Sequence, residues 1–412
     1  MSGIVLCAVA LCAMTGPGFA NVLGGDNGLD AQQTVEHYTK VLSEIYFQRS
    51  EADGDDVDAR LLTFIGEIFD IERFAPQLLQ KRWQKLNGYE QAEFKRAIQR
   101  SIKKKFVYLI AQSNQVAPPT LVLQSKELKE KFARLNYSFA GEQGTTAVTL
   151  FMLKDAEGSW KISNIKGKKE SLLRYYYTLC NDLFDDYSFP YLIGELRDEG
   201  YIVLEDFESG EVGSLPRRWT WKSKDNNKNK PYEIQSQDGN QYLAANDNGE
   251  SVILGKKVKW NLKKYPYVSF RWRGRKLPDG GDERFGKSVD SAAGIYFIYR
   301  KKIGLIPESV KYVWSTTLPI GSAMRRSGTG RPWMVVAESG AANLGQWHTY
   351  VFNLYEAYRK TFGGDPPDKP IGIGILSDAN STKSMAYADY DDIRALRNAE
   401  ADSGVKEHLE AE

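Results

Sequence analysis

The hydrophobic pattern of this chain changes its period at Ala117-Pro118-Pro119. Before that point, from about Asp30 to Gln112, apolar residues recur every three or four positions, which predicts amphipathic helices. One of these helices has an apolar residue at every fourth position from Phe94 to Ile110 and basic residues on its other faces. We interpret the basic surface as a solvated face above a core stripe, with docking on a membrane as the alternative.

After the two prolines the pattern has a period of two, which predicts strands. The candidate strands are Leu121–Gln124, Ala133–Phe139, Thr146–Leu153 and Trp160–Ile165, and a further helix runs from about Ser171 to Phe184. Four short strands after a helical block indicate an α+β domain, with helices packed on a mostly antiparallel sheet. We place this domain at residues 30–190.

The second half of the chain predicts an all-β domain. Short apolar runs alternate with clusters of Gly, Pro, Asn and Asp, which is typical of a β-sandwich or jelly roll. The candidate strands are Val252–Leu254, Tyr267–Trp272, Gly294–Tyr299, Lys311–Ser315, Trp333–Ala337, His348–Leu354, Ile371–Leu376 and Ala386–Ile393. We place the sandwich at residues 204–396, after a connecting segment at 191–203 and before an acidic, disordered tail at 397–412.

Length and charge narrow the function classes. A chain of 412 residues exceeds the size at which a single core usually keeps growing, so two domains are expected. The 55 basic and 53 acidic side chains leave a net charge of +2, which gives no overall field for attracting nucleic acid. We therefore expect no nucleic-acid partner.

The N-terminus predicts export. Residues 1–20 carry no charge, and an apolar stretch from Ile4 to Met14 is followed by small residues before Asn21, as in a secretory signal peptide. Removal of this segment would take Cys7 and Cys12 with it and leave Cys180 as a lone thiol. We expect a periplasmic protein without an internal disulfide.

Two runs of the first domain carry a resemblance to a known family. They are Phe69-Asp70-Ile71-Glu72-Arg73-Phe74-Ala75-Pro76-Gln77-Leu78-Leu79 in the helical half, and Gly158-Ser159-Trp160-Lys161-Ile162-Ser163-Asn164-Ile165 with the later Tyr175-Tyr176. They resemble the MlaC family of periplasmic phospholipid-binding proteins, also called toluene-tolerance proteins. The resemblance implies an apolar cavity between helices and sheet that shields acyl chains, and partners in an inner-membrane ABC-transporter assembly and an outer-membrane lipoprotein complex.

Nine apolar residues are the candidates for lining that cavity. They are Phe69, Phe74, Leu78, Phe106, Leu109, Phe139, Val148, Leu150 and Tyr176. Filling a solid core is the alternative role for each of them.

The second domain resembles an uncharacterised bacterial domain family. The resemblance is carried by Lys264-Tyr265-Pro266-Tyr267-Val268-Ser269-Phe270-Arg271-Trp272, Val310-Lys311-Tyr312-Val313-Trp314 and Ile373-Gly374-Ile375-Leu376-Ser377-Asp378. The two ends of the domain look like the edge strands of carbohydrate-binding sandwiches, where carboxylates often hold a structural calcium. Asp206, Glu208, Asp391 and Asp392 are the candidate ligands, and solvated acids at strand ends are the alternative.

Tryptophans of the second domain offer flat faces that stack on sugar rings, although most are expected in the core. Trp219 and Trp221, separated by one residue, are the candidates for glycan stacking. Motifs of catalysis are missing, since the chain has no G-x-S-x-G elbow and no P-loop, and its three histidines are spread over three regions. A pair of carboxylates drawn from Asp282, Glu283, Glu338, Asp378 or Asp389 is the remaining enzymatic option.

These patterns together favour a non-enzymatic periplasmic phospholipid carrier with an accessory β-sandwich docking module. We expect no cofactor other than the structural calcium. The alternative is an envelope glycan-binding or glycan-processing protein that acts through the sandwich.

Overall fold

The structure is a computed structural model that describes residues 29–46, 54–112, 121–141, 144–302 and 306–401. The chain divides into two compact units, the first ending at Asp182 and the second beginning at Leu183. The predicted signal peptide at 1–20 and residues 402–412 of the predicted tail lie outside the described residues. Among the helices described, none is both long and apolar enough to cross a bilayer.

Helices form the first half of the first unit. They are α1 (Ala31–Tyr46), α2 (Gly54–Ile68), α3 (Ile71–Leu79) and α4 (Gly88–Gln112), with a 3-10 turn at Gln80–Lys85 between the last two. Asp70 begins α3, because its carboxylate accepts a hydrogen bond from Arg73 N at 3.1 Å and satisfies a donor of the first turn. The helical periodicity of this region is confirmed.

A four-stranded antiparallel sheet and most of one helix complete this unit. The elements are β1 (Val122–Lys129), β2 (Phe132–Gly141), β3 (Gly144–Lys154), β4 (Trp160–Lys166) and α5 (Leu172–Asp186), and the strands lie in the order β1-β2-β3-β4. Asp70 N donates to Ile162 O at 3.0 Å, which ties the start of α3 to β4. The predicted α+β class, with helices on an antiparallel sheet, is confirmed.

The second unit is built mainly of strands. Its helices are α6 (Phe189–Arg197) and α7 (Leu354–Phe362). Its strands are β5 (Tyr201–Glu205), β6 (Trp219–Thr220), β7 (Tyr232–Gln237), β8 (Asn240–Asp247), β9 (Leu254–Lys256), β10 (Tyr267–Lys276), β11 (Ala293–Lys302), β12 (Ile306–Ser315), β13 (Ala323–Met324), β14 (Trp333–Ser339), β15 (His348–Asn353), β16 (Gly372–Ile375) and β17 (Ala386–Leu396).

These strands form two sheets that pack face to face. One has the order β15-β10-β17-β8-β7, with β5 also paired to β17, and the other has the order β13-β14-β12-β11-β16-β9-β6. Phe270 of the first sheet meets Phe297 and Tyr312 of the second, with ring centroids 6.3 and 5.9 Å apart. The predicted all-β sandwich is confirmed.

The segment expected to connect the two domains, residues 191–203, is structured and belongs to the second unit. It contains most of α6 and the start of β5, which pairs with β17. Ser188 caps α6, and Tyr191 and Leu192 are buried. A helix this short shows only two turns of periodicity, so the sequence pattern did not separate it from a linker.

Candidate functional site

Five of the residues predicted to line a lipid cavity form a buried layer on the helices of the first unit and, in the case of Phe69, between α2 and α3. Phe69 and Phe106 meet edge to face with ring centroids 6.0 Å apart, and Phe74 meets Tyr176 in the same way at 6.2 Å. Leu78 lies on the buried side of α3 with Phe74. Aromatic pairs of this geometry hold a layer together while leaving its surface apolar.

The sheet supplies the opposing layer. Val148 and Leu150 are buried on one face of β3, and Phe139 is buried on β2. Thr149, between them, points away and donates to Asn136 Oδ1 at 2.7 Å. The side chain of Leu109, the ninth candidate, lies outside the described residues. The structure therefore places eight candidates in the interior, and lipid contact by them stays a prediction.

A cleft of about 610 Å³ opens beside this interior, with both apolar and charged side chains in its lining. Its lining combines Phe69 with charged residues of three separate segments, and these include Asp70, Glu72, Arg73, Lys95, Arg96, Asp155, Glu157 and Lys161. Lys95 Nζ lies 2.8 Å from Glu72 Oε1 across it. The cleft could not be predicted from the sequence, because its residues come from segments that are far apart along the chain.

The buried side chains of Cys180 and Tyr176 in the first unit are both protonated at neutral pH. Burial raises the pKa of the Cys180 thiol to about 12, so the reactive thiolate is scarce at neutral pH. Burial likewise raises the pKa of Tyr176 well above its usual value, and its hydroxyl donates to Ser101 Oγ at 3.1 Å. These groups suit a packed interior better than a catalytic centre.

The predicted calcium ligands are held by protein groups. Glu208 Oε1 accepts from Gln241 N at 2.7 Å, and Asp206 Oδ1 accepts from Glu208 N at 3.2 Å. Burial raises the pKa of Asp206 to about 6, with Glu205 as the next cause. The positive charge of Lys256 acts in the opposite direction but does not offset the burial.

The other two predicted ligands face an arginine. Asp391 Oδ2 accepts from Arg271 Nε at 3.1 Å, and Asp392 Oδ2 lies 3.2 Å from the same nitrogen. Within the part of the chain that the structure describes, no three His, Cys, Asp or Glu side chains converge as a metal site. The geometry gives the calcium prediction no support, since Arg271 already supplies the positive charge at these carboxylates.

The structure corrects one of the two stacking candidates. Trp219 is only 6% exposed, because its ring stacks on Phe207 and its indole nitrogen donates to Glu205 Oε2 at 2.6 Å. It is a core residue and offers no face to a sugar. Trp221 is half-buried, and the ammonium of Lys230 lies 4.8 Å from its ring centroid.

The acids considered for a carboxylate pair are bound within the sandwich. Glu283 accepts from Ser291 and Ser315 at 2.8 and 2.6 Å, and Glu338 accepts from Tyr350 at 2.6 Å. Such partners satisfy buried carboxylates as structural groups. The geometry around Glu283 and Glu338 is therefore that of a hydrogen-bonded core.

Comparison with known proteins also divides the chain into two parts. The model of the MlaC protein family matches residues 35–198, so it includes α6 of the second unit. The model described as a protein of unknown function, DUF3047, matches residues 217–394. No curated protein matches the chain.

Two solved structures are similar to parts of the chain at low identity. A phospholipid-binding protein from Ralstonia solanacearum, in complex with a phospholipid, is 16% identical with a TM-score of 0.35 over 41% of this chain and 96% of that one. A carbohydrate-binding module that recognises mannan, TmCBM27, is 12% identical with a TM-score of 0.20 over 48% of this chain and 99% of that one. The predicted resemblances are confirmed by the family models: residues 35–198 resemble the MlaC family, and residues 217–394 resemble a family of unknown function.

Proposed function

We propose that the first unit binds phospholipid and carries it through the periplasm without catalysing a reaction, and that the sandwich is an accessory docking module. The observation that carries this proposal is the match of the MlaC model to residues 35–198, the segment that contains the whole buried apolar layer. The resemblance to MlaC implies that this layer encloses acyl chains.

Acyl chains need such a layer because their exposure to water costs a large amount of free energy. Each methylene removed from water contributes about 0.8 kcal/mol, so a two-tailed lipid cannot cross an aqueous space unshielded. Aromatic and aliphatic side chains on facing helices and strands supply an apolar lining without hydrogen-bonding demands.

By the same resemblance, the carrier exchanges lipid with an inner-membrane ABC-transporter assembly and an outer-membrane lipoprotein complex. Export by the N-terminal segment would bring it to the compartment between them. The sandwich would then give the carrier a second point of attachment to these assemblies.

The test is native mass spectrometry of the full chain purified from periplasm, followed by organic extraction and identification of bound lipid. We expect a stoichiometric phospholipid. Val148→Phe adds volume to the buried face of β3 and should lower the lipid occupancy. Thr149→Val, on the opposite face of the same strand, should leave it unchanged.

Urea unfolding of both variants separates lost binding from lost folding, because overpacking a core costs about 1–3 kcal/mol by itself. A wild-type chain that carries no lipid, and takes up none from phosphatidylethanolamine and phosphatidylglycerol liposomes, contradicts the proposal. If a folded Val148→Phe variant keeps full lipid occupancy, the lipid binds elsewhere than in this layer.

A further inference from the structure

The six-stranded sheet of the second unit has a polar face turned away from its core. Along β10, Phe270 and Trp272 are fully buried in the core, so the alternating Arg271 and Arg273 point to the other side. Arg275 lies on that side as well, because it shares the carboxylate of Asp389 with Arg273. Three guanidinium groups therefore line one strand.

Two carboxylates of β17 lie beneath these arginines. Asp389 accepts from Arg273 Nε at 2.8 Å and from Arg275 Nε at 2.9 Å, and Asp391 accepts from Arg271 Nε at 3.1 Å. Both aspartate side chains are only 1% exposed although they lie on the outer side of the sheet. The arginines thus cover them and are held in fixed positions by them.

Aromatic rings stand over the same arginines. The guanidinium carbons of Arg271 and Arg273 each lie 4.9 Å from the ring centroid of Trp347. Tyr242 meets Trp347 edge to face at 5.5 Å and lies 5.4 Å from Arg273. We call the surface formed by Tyr242, Arg271, Arg273, Arg275 and Trp347 the arginine face.

We infer that the arginine face binds a neutral polysaccharide. Its three guanidinium groups pair with Asp389, Asp391 and Asp392, and Asp392 also pairs with Arg394. Most of the positive charge is therefore neutralised, which leaves little with which to select a polyanion. Guanidinium groups present several N–H donors in a planar fork, which matches neighbouring hydroxyls of a sugar ring. The half-buried indole of Trp347 offers apolar surface for the C–H face of the same sugar, and the buried ring of Tyr242 supports it from the side.

Rigidity supports a binding role for this surface. A buried ion pair contributes little net stability, because desolvation of both charges offsets their attraction. It does, however, fix the arginine side chains before a ligand arrives, and a preorganised surface loses less conformational entropy on binding. Two nearly unexposed carboxylates under three arginines are an arrangement of this kind.

The experiment applies the full chain to an array of neutral gluco-, manno-, galacto- and xylo-configured polysaccharides, with alginate as the polyanion. We expect retention on at least one neutral polymer. Trp347→Ala should weaken that retention about tenfold, a typical loss for an aromatic stacking contact. Trp347→Phe should restore most of it, and Arg273→Lys should weaken it while keeping Asp389 paired.

The matched control is Trp333→Ala, which removes a half-buried tryptophan on β14 in the other sheet and should bind as wild type does. Thermal unfolding of each variant reports whether the fold is kept. The inference is overturned if no neutral polymer retains the wild-type chain, if folded Trp347→Ala binds as wild type does, or if only alginate binds. Lipid extraction plays no part in this readout, so the carrier proposal stands or falls separately.

Discussion

The hydroxyl of Tyr176 on α5 donates to the hydroxyl of Ser101 on α4, with the two oxygens 3.1 Å apart. This bond is the polar link in an otherwise apolar contact where Phe74 also meets the tyrosine ring. It orients Tyr176 so that its ring, rather than its hydroxyl, faces α3.

Tyr176→Phe should therefore destabilise the first unit modestly while keeping the apolar layer. We expect a loss of about 1 kcal/mol in the free energy of unfolding, the usual net value of one hydrogen bond. Urea denaturation monitored by circular dichroism measures it. Tyr177→Phe, at a neighbouring exposed position, is the control and should change little. Equal losses in both variants would contradict the assigned role of the bond.

Gly372→Ala should destabilise the sandwich, because a Cβ at this position would lie 2.6 Å from Lys256 O on the neighbouring strand β9. Backbone cannot move aside as a flexible side chain can, so we expect a loss of roughly 1–3 kcal/mol. Gly255→Ala is the matched control on β9, where the nearest atoms would be 3.8 and 3.9 Å away. Thermal unfolding of both should rank Gly372→Ala clearly lower.

Lys256→Met should destabilise the second unit strongly. Lys256 is 13% exposed and lies 2.8 Å from the buried carboxylate of Glu205, so its loss leaves that charge without a cation. Breaking such a pair costs about 3–5 kcal/mol. Lys263→Met removes a lysine that is 61% exposed and paired with Asp368 at 2.8 Å, and should change the stability little because solvent screens the pair. A similar cost for both variants would show that burial of the pair is not decisive.

The second unit should lose stability as the pH rises from about 4 to about 6. Burial raises the pKa of Asp206 from 3.8 to about 6, so the folded state holds this proton more tightly than the unfolded state does. Asp206→Asn should flatten part of this dependence in thermal melts between pH 4 and pH 7. The control Asp238→Asn changes an exposed turn and should keep the wild-type profile. An unchanged profile in Asp206→Asn would contradict the assignment.

Bound calcium would stabilise the ionised carboxylate of Asp206. Its effect on stability at neutral pH would therefore be opposite to that of burial. If the predicted structural calcium binds Asp206, millimolar calcium should raise the melting temperature of the wild-type chain at neutral pH and not that of Asp206→Asn. If calcium leaves the melting temperature of the wild-type chain unchanged, the calcium prediction is wrong.

Much of the fold could be predicted from the sequence because the strongest strands alternate in the usual way. The strand predicted at Tyr267–Trp272 is the start of β10, and the one predicted at Ala386–Ile393 is most of β17. The hairpin β7–β8 was missed because its apolar residues are few. Its turn, Asp238-Gly239, has φ values of 54° and 79°, the pattern of a tight hairpin, and that pair was the signal available in the sequence.

The candidate sites were harder to predict for a physical reason. A stacking tryptophan is recognised by exposure, and Trp219 is covered by contacts with Phe207 and Glu205 that no local pattern shows. Trp347 was not among the stacking candidates, although it lies against arginines that are some 75 residues earlier in the sequence. In both cases the exposure of the tryptophan is set by side-chain contacts outside its own strand.

The position of β17 also governs when the sandwich can form. This strand pairs with β5, β8 and β10, and it follows all of them in the chain. During synthesis the ribosome releases β5 almost 200 residues before β17, so the six-stranded sheet lacks its central strand until nearly the whole unit has emerged. The nascent second unit should therefore leave the inner edges of β8 and β10 unpaired until β17 arrives.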